Sequence, residues 1–254
     1  MSGNPPAVSA STEFDPSGPA AYGGIFGLPH SAEEARVVLV PVPWEPTTSY
    51  RKGTAGGPAA IREASLQVDL FDAQTGRPYA AGIAMLDVDP EVVRWNAEAC
   101  AASEPVIAAA GEVDGDPGLQ AQLERVNALS RELNARVQAT VAGLIGRGKL
   151  VGTVGGDHAS VYGAIAAHAA AYPGLGILHI DAHADLRVAY EGFEDSHASI
   201  MYNVTSRLPQ VARLVQVGLR DMSEDEVALA RGSDGRIVMF TDPEISGRLF
   251  DGEP

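Results

Sequence analysis

Two rhythms divide the apolar positions of this chain. Short β-branched runs predict strands at Arg36–Val42 (interrupted by Pro41, with Pro43 just beyond), Ile83–Val88, Leu150–Val154, Gly176–Asp181, Leu214–Leu219 and Arg236–Phe240. Between them, Leu123, Val126, Leu129, Leu133, Val137, Val141 and Leu144 recur in steps of three and four, which predicts a long amphipathic helix over Leu119–Ile145, ended by Gly146 and Gly148. Pro58–Val68 reads as a helix opening on proline, and Ser160–Ala171 as one stopped by Pro173-Gly174. Strand and helix alternate, so an α/β fold follows, a parallel sheet covered by helices on both faces. Residues 1–20, rich in Ser, Gly, Pro and Ala without periodicity, read as a flexible arm, leaving 21–254 as a single domain.

Composition narrows the function classes. A chain of 254 residues can bury one substantial core. The formal net charge of −15 disfavours nucleic acid and anionic membranes as partners and weakly favours small cations, although a solubility adaptation explains the charge more simply. Cys100 is the one cysteine, which excludes an intramolecular disulfide and a cysteine zinc cluster. Its neighbours include no base, so it reads as a small buried residue. No basic-then-apolar leader and no run of 18 apolar residues occurs, so the expected location is the cytoplasm.

The chemistry concentrates in one segment. Gly176–Asp185 runs from an apolar strand into Asp181-Ala182-His183-Ala184-Asp185. Residues two apart in extended backbone project to one face, about 6.5–7 Å apart. Asp181, His183 and Asp185 are therefore placed to converge, with Ile177 and Leu178 anchoring the strand below. Packing asks for no such trio, whereas a divalent cation does. Five of six histidines lie between 158 and 197. His158 follows one strand directly, and His197 lies in the loop after another. The carboxyl ends of parallel strands form one rim, so these groups can share it. Imidazole with carboxylate suits Mn²⁺, Zn²⁺ or Ni²⁺ better than Ca²⁺ or Mg²⁺, and a bridging carboxylate permits two ions about 3.5–4 Å apart.

The remaining candidates have plainer readings. His168, mid-helix among alanines, reads as a packing or surface residue. His179 shares the parity of Asp181 but lies deeper and reads as a hydrogen-bonded core histidine. Residues 111–118 place aspartates among glycines without the ligand spacing of a calcium loop. Gly155-Gly156 lets the backbone approach something closely, and Asp157-His158 stands where a phosphate loop would carry Lys-Ser/Thr.

Gly155-Gly156-Asp157-His158, Asp181-Ala182-His183-Ala184-Asp185 and Ser196-His197-Ala198-Ser199 together resemble three ordered motifs of the ureohydrolase family, the arginases and agmatinases. The early Pro41-Val42-Pro43-Trp44, Thr47-Thr48-Ser49-Tyr50 and Gly56-Gly57-Pro58 segments also fit, and the similarity runs from about 36 to 245. The resemblance implies a three-layer arginase-like fold and hydrolysis of a guanidinium compound to urea and an amine through a metal-bound hydroxide. It implies two Mn²⁺ ions, with Ni²⁺ the alternative. His158 and Asp185 would hold one ion and His183 the other, with Asp181 bridging both and also serving the reaction. His197 would be the acid/base or proton shuttle. The family also implies assembly as a homo-oligomer, a trimer or hexamer. A deacetylase-type zinc hydrolase shares the Asp-x-His element but fits the other two motifs poorly.

One family segment has no match. Ureohydrolases carry a later Ser-x-Asp-x-Asp-x-x-Asp-Pro stretch whose first two aspartates complete both metal shells. Thr241-Asp242-Pro243-Glu244 is the nearest string and lacks the Asp-x-Asp pair. The expectation is a chain without the C-terminal part of the fold, its activity impaired or absent, with a subunit or binding role as the alternative. Agmatine-like compounds, arginine and guanidine all remain as substrates. Ser196–Met201 leans toward the agmatinases, and the acidic and aromatic loop Arg187–Asp195 either contacts substrate or is solvated.

Overall fold

The computed structural model describes residues 14–18, 20 and 23–252, so most of the expected arm, 1–20, lies outside the described residues. Strand β1 (Val37–Val42) pairs in parallel with β2 (Ile83–Met85) on one side and β3 (Leu150–Gly155) on the other. Strands β4 (Leu175–Ile180), β5 (Val211–Leu219) and β6 (Ile237–Thr241) form a second parallel set. The expected parallel α/β architecture is present, with its strands in two three-stranded ladders, β2-β1-β3 and β4-β5-β6. Among the described residues, strands β3 and β4 each pair on one side only.

Helices flank both ladders. Helix α1 (Gly57–Ala64) opens on the expected proline and runs into a 3-10 turn, Ser65–Gln67. The long helix, α3 (Pro117–Gly146), buries Val126, Leu129, Leu133, Val137, Val141 and Leu144, the stripe predicted from their spacing. Each such side chain contributes about 1.5–3 kcal/mol relative to exposure. Asp116 caps α3 through the Gly118 and Leu119 N–H groups, so the aspartate–glycine cluster at 111–118 is a turn and a helix cap. Helix α2 (Pro90–Ala108) packs Val92, Trp95 and Ala99 with Val38, Val40 and Val42 of β1 and the α3 stripe in one core. The sequence reading missed α2, whose alanines carry little periodicity.

Helix α4 (Tyr162–Ala171) carries the chain from β3 to β4 and lies against α3. Gly163 makes that approach possible, since any side chain there would run into the Asn134 carbonyl and the Gln138 amide. His168 in α4 donates from Nδ1 to the Ala164 carbonyl at 2.8 Å, a local packing role. Helices α5 (Ile200–Arg207) and α6 (Glu224–Arg231) cover the second ladder, in a core of Leu214, Leu219, Ile200, Met201, Val204 and Ala230. Thr241 and Asp242-Pro243-Glu244 form the cap and first turn of α7 (Asp242–Phe250), with Thr241 accepting from the Glu244 N–H. Three short helices, α5 to α7, were also not predicted from sequence.

Strand β4 corrects one expectation. Ile177 packs against the second core, but Leu178 has the opposite parity and is 65% exposed, with Ile180 beside it at 75%. The pleat therefore anchors β4 on one face only.

Candidate metal centre

His158, Asp181, His183 and Asp185 stand just past the carboxyl ends of β3 and β4, while His197 opens the turn that leads into α5. Past β3, Gly156 donates to the Val42 carbonyl at 3.1 Å and Asp157 to the Trp44 carbonyl at 2.8 Å. A side chain at Gly156 would strike that Trp44 carbonyl and one at Gly155 the Ser160 hydroxyl, which explains the Gly-Gly pair. Asp157 Oδ1 then caps the turn His158–Val161 through the Ala159 N–H at 3.0 Å, aiming His158. Past β4, Asp181 donates its N–H to Val217 of β5 at 3.1 Å. Asp185 adopts a left-handed conformation (φ 52°), uncommon outside glycine but tolerated by Asp. Its carbonyl accepts from Met201 and Tyr202 at the start of α5, and Leu186 N–H donates to buried Glu226, so this conformation is held from both sides.

The side chains converge. His158 Nδ1 lies 2.6 Å from Asp185 Oδ2 and 3.7 Å from Asp181 Oδ2. His179 Nε2 lies 3.2 Å from the same Asp181 oxygen. One donor atom each from His158, His179, Asp181 and Asp185 falls within 4.8 Å of all the others. His183 stands outside this group. It is exposed, with Nδ1 3.5 Å from Asp181 Oδ1 and Nε2 3.8 Å from Asp221 Oδ2. Asp181 thus presents one oxygen toward His158 and the other toward His183, the disposition of a bridging carboxylate.

Hydrogen-bond valence separates His179 from the rest. The amide of Gln216, itself fully buried, donates to the Ala184 carbonyl at 2.7 Å and to His179 Nδ1 at 2.9 Å. Nδ1 is therefore the acceptor, and Nε2 carries the proton donated to Asp181. Both ring nitrogens are used, so His179 orients a carboxylate rather than offering a lone pair. The core reading of His179 was sound, but it missed this contact with Asp181.

Burial and charge set the protonation of the group. Burial opposes the charged form of His158, but the hydrogen bond and charge of Asp185, with Asp181 behind it, outweigh burial and raise its pKa. Burial, aided by the nearby His158, lowers that of His179. Asp181 is held below the usual carboxylate value; burial acts against this, while the His183 N–H and the imidazoles of His179 and His158 prevail.

His197 belongs to a second cluster. Its pKa is lowered, chiefly by burial, so the ring is neutral at physiological pH. Buried Thr47 meets it twice, with Oγ1 accepting from the His197 N–H at 3.0 Å and lying 3.2 Å from Nδ1. The Thr47 hydroxyl also lies 3.0 Å from Asp157 Oδ2. Asp157 is buried enough that desolvation pushes its pKa up to about 7 against the hydrogen bonds it accepts. Tyr190 stands edge-on to the His197 ring, centroids 6.2 Å apart. His197, His183, Asp185, Arg187, Tyr190, Ser49 and Asp221 line one cleft of about 260 Å³. The structure therefore gathers His158, Asp181 and Asp185 at one point, sets His183 beside Asp181, and puts His197 in the same cleft. Gln216 and Asp221 went unnoticed in the sequence reading, His179 was read as a core histidine, and Thr47 and Asp157 lay in segments that carry the family resemblance.

The fold and this histidine–carboxylate cluster can now be set beside known proteins. The family description "Arginase family" matches residues 35–249. The chain belongs to the arginase family. It is 36% identical over 199 residues to an N(1)-aminopropylagmatine ureohydrolase of Thermus thermophilus, covering 78% of this chain and 56% of the relative. An agmatinase of Bacillus subtilis is 30% identical over 211 residues, covering 82% and 60%. The chain thus spans little more than half the length of these curated relatives. Among solved structures, an agmatine ureohydrolase of Thermoplasma volcanium shares the fold at a TM-score of 0.63 and 20% identity, covering 91% of this chain and 66% of that one.

Proposed function

We propose that this chain is a metal-dependent hydrolase of a small guanidinium compound, agmatine-like in preference to arginine or guanidine, which releases urea and an amine. The observation that carries this reading is the convergence of His158, Asp181 and Asp185, of which Asp185 lines one cleft together with His183 and His197. The donor set fits a divalent transition metal, since one imidazole with two carboxylates suits Mn²⁺ or Ni²⁺. His158 and Asp185 would hold one ion, His183 the second, and Asp181 both. When bound, such ions lower the pKa of a water and make it nucleophilic at neutral pH.

The chain's own residues supply the rest. A guanidinium is a resonance-stabilised cation, and the carboxylates of Asp181, Asp185 and Asp221 favour a cation in the cleft. Oxygen from water bonds to the guanidinium carbon, the carbon–nitrogen bond to the alkylamine breaks, and that nitrogen takes up both protons of the water, leaving urea and an alkylammonium. Neutral His197 is the group suited to accept a proton and deliver it to the leaving nitrogen. Tyr190 restricts the ring from its side. Relatives named agmatinase and N(1)-aminopropylagmatine ureohydrolase support the substrate class. A homo-oligomer, trimeric or hexameric, in the cytoplasm is the assembly and location proposed; among the described residues no helix is long and apolar enough to cross a membrane.

A second reading, a catalytically impaired chain acting as a subunit or binding module, is favoured by exposed His183, whose carboxylate partners within 4 Å among the described residues are Asp181 and Asp221. Calorimetry with Mn²⁺, Ni²⁺ and Zn²⁺, with urea detection on agmatine, aminopropylagmatine, arginine and guanidine, separates the two. Binding of one to two ions with urea release supports the hydrolase. Binding without urea, or no binding by any metal, supports the impaired chain and overturns the hydrolase.

A further inference from the structure

We propose that Thr47 is a positioning residue that fixes His197 in its Nδ1–H tautomer and leaves Nε2 as the proton acceptor in the cleft. The argument is a count of donors and lone pairs at one oxygen. A threonine hydroxyl has one hydrogen to give and two lone pairs to fill. The Thr47 hydroxyl donates to Asp157 Oδ2, 3.0 Å away, which uses its one hydrogen. The His197 main-chain N–H, at 3.0 Å, fills one lone pair. Only a lone pair remains to face His197 Nδ1 at 3.2 Å, so that nitrogen must carry a proton.

The environment makes this arrangement binding on the ring. Thr47 is fully buried and Asp157 nearly so, so no water competes for the hydroxyl. Turning the hydroxyl to Nδ1 would take the hydrogen from the buried carboxylate oxygen, an expensive loss. Asp157 Oδ1 is occupied by the Ala159 N–H, which fixes the carboxylate plane. No hydrogen bond from the described residues reaches His197 Nε2. Free histidine favours the Nε2–H form, so the surroundings select the less favoured tautomer. They also tie three segments together, the loop after β1, the turn after β3 and the entry to α5. The use of this tautomer in proton transfer rests on the hydrolase reading, but the tautomer itself does not.

The test is therefore made on metal-free protein, with no substrate. Two-bond proton–nitrogen correlation spectra of the ¹⁵N-histidine-labelled chain are recorded at pH 9, with His197 assigned by its loss in His197→Gln. The expected pattern is a protonated-nitrogen shift at Nδ1 and a bare-nitrogen shift at Nε2. Thr47→Ser keeps the hydroxyl and retains that pattern. Thr47→Val removes it at nearly constant shape, and the two shifts exchange. An Nε2–H pattern in the unsubstituted chain overturns the proposal, as does an Nδ1–H pattern persisting in a folded Thr47→Val protein. If Thr47→Val does not fold, the unsubstituted and Thr47→Ser spectra decide.

Discussion

His179 donates its Nε2 proton to Asp181 Oδ2 at 3.2 Å because its other nitrogen is already taken by buried Gln216. The chain Gln216–His179–Asp181 fixes the plane of the carboxylate that faces both His158 and His183. Gln216→Leu frees the ring of His179 and leaves its Nδ1 and the Ala184 carbonyl without their donor. A loss of about 1–3 kcal/mol in stability is expected, measured by urea denaturation. Mn²⁺ affinity should fall about 10–100-fold by calorimetry, the usual cost of disturbing a group that orients a ligand. Unchanged affinity in a folded variant would remove His179 from any metal role.

Glu45 organises the loop that carries Thr47. Its Oε2 accepts from the Gly53 N–H at 2.6 Å, the Ala55 N–H at 3.1 Å and the Thr54 hydroxyl at 3.1 Å. Burial works to raise its pKa, but these hydrogen bonds, with Lys52 nearby, bring it below the ordinary carboxylate value. The folded pKa lies under the unfolded one, so the stabilisation is complete above the unfolded value and is lost as pH falls through the folded value. Glu45→Gln should therefore be less stable than the unsubstituted chain at pH 7, by about 1–2 kcal/mol. Denaturation curves should draw together on acidification. A gap that widened in acid would contradict this account.

His197 gives the opposite limb. Burial depresses its folded pKa below the unfolded value. The unfolded chain then binds the proton more readily, so stability is highest above the unfolded pKa. It falls as pH drops from there toward the folded pKa and levels off beneath it. His197→Gln, which cannot titrate, should lose this component, so its stability should vary less with pH between neutrality and mild acid. Thermal melts of both proteins across that range check the sign.

The open side of β4 carries a physical liability. Leu178 and Ile180 are 65% and 75% exposed on a strand that, among the described residues, pairs with β5 alone. Unpaired edges with apolar side chains invite association with other strands. Leu178→Lys should reduce concentration-dependent self-association in sedimentation velocity while changing stability by less than about 0.5 kcal/mol, as for an exposed position. Association that is unchanged would shift attention to another surface.

Sequence alone determined the features whose physics is local. Short β-branched runs marked all six strands and period-3.6 spacing the α3 stripe, because a strand shielded on both faces is apolar throughout and a helix buried on one face repeats its apolar positions with the backbone. Asp181, His183 and Asp185 announced themselves because no packing need explains alternating metal-ligating side chains past a strand. Helices α2, α5, α6 and α7 escaped notice because α2 is alanine-rich and the others are eight or nine residues long, too short for a pattern to stand out. Tertiary structure alone decided which histidine does what. His179 and His183 flank Asp181 symmetrically in sequence, yet a buried glutamine from β5 commits one to orienting that carboxylate, while the other stays exposed. Thr47 reaches His197 across 150 positions. Hydrogen-bond valence is settled by whichever atoms the folded chain brings within about 3 Å, and linear spacing carries no record of that.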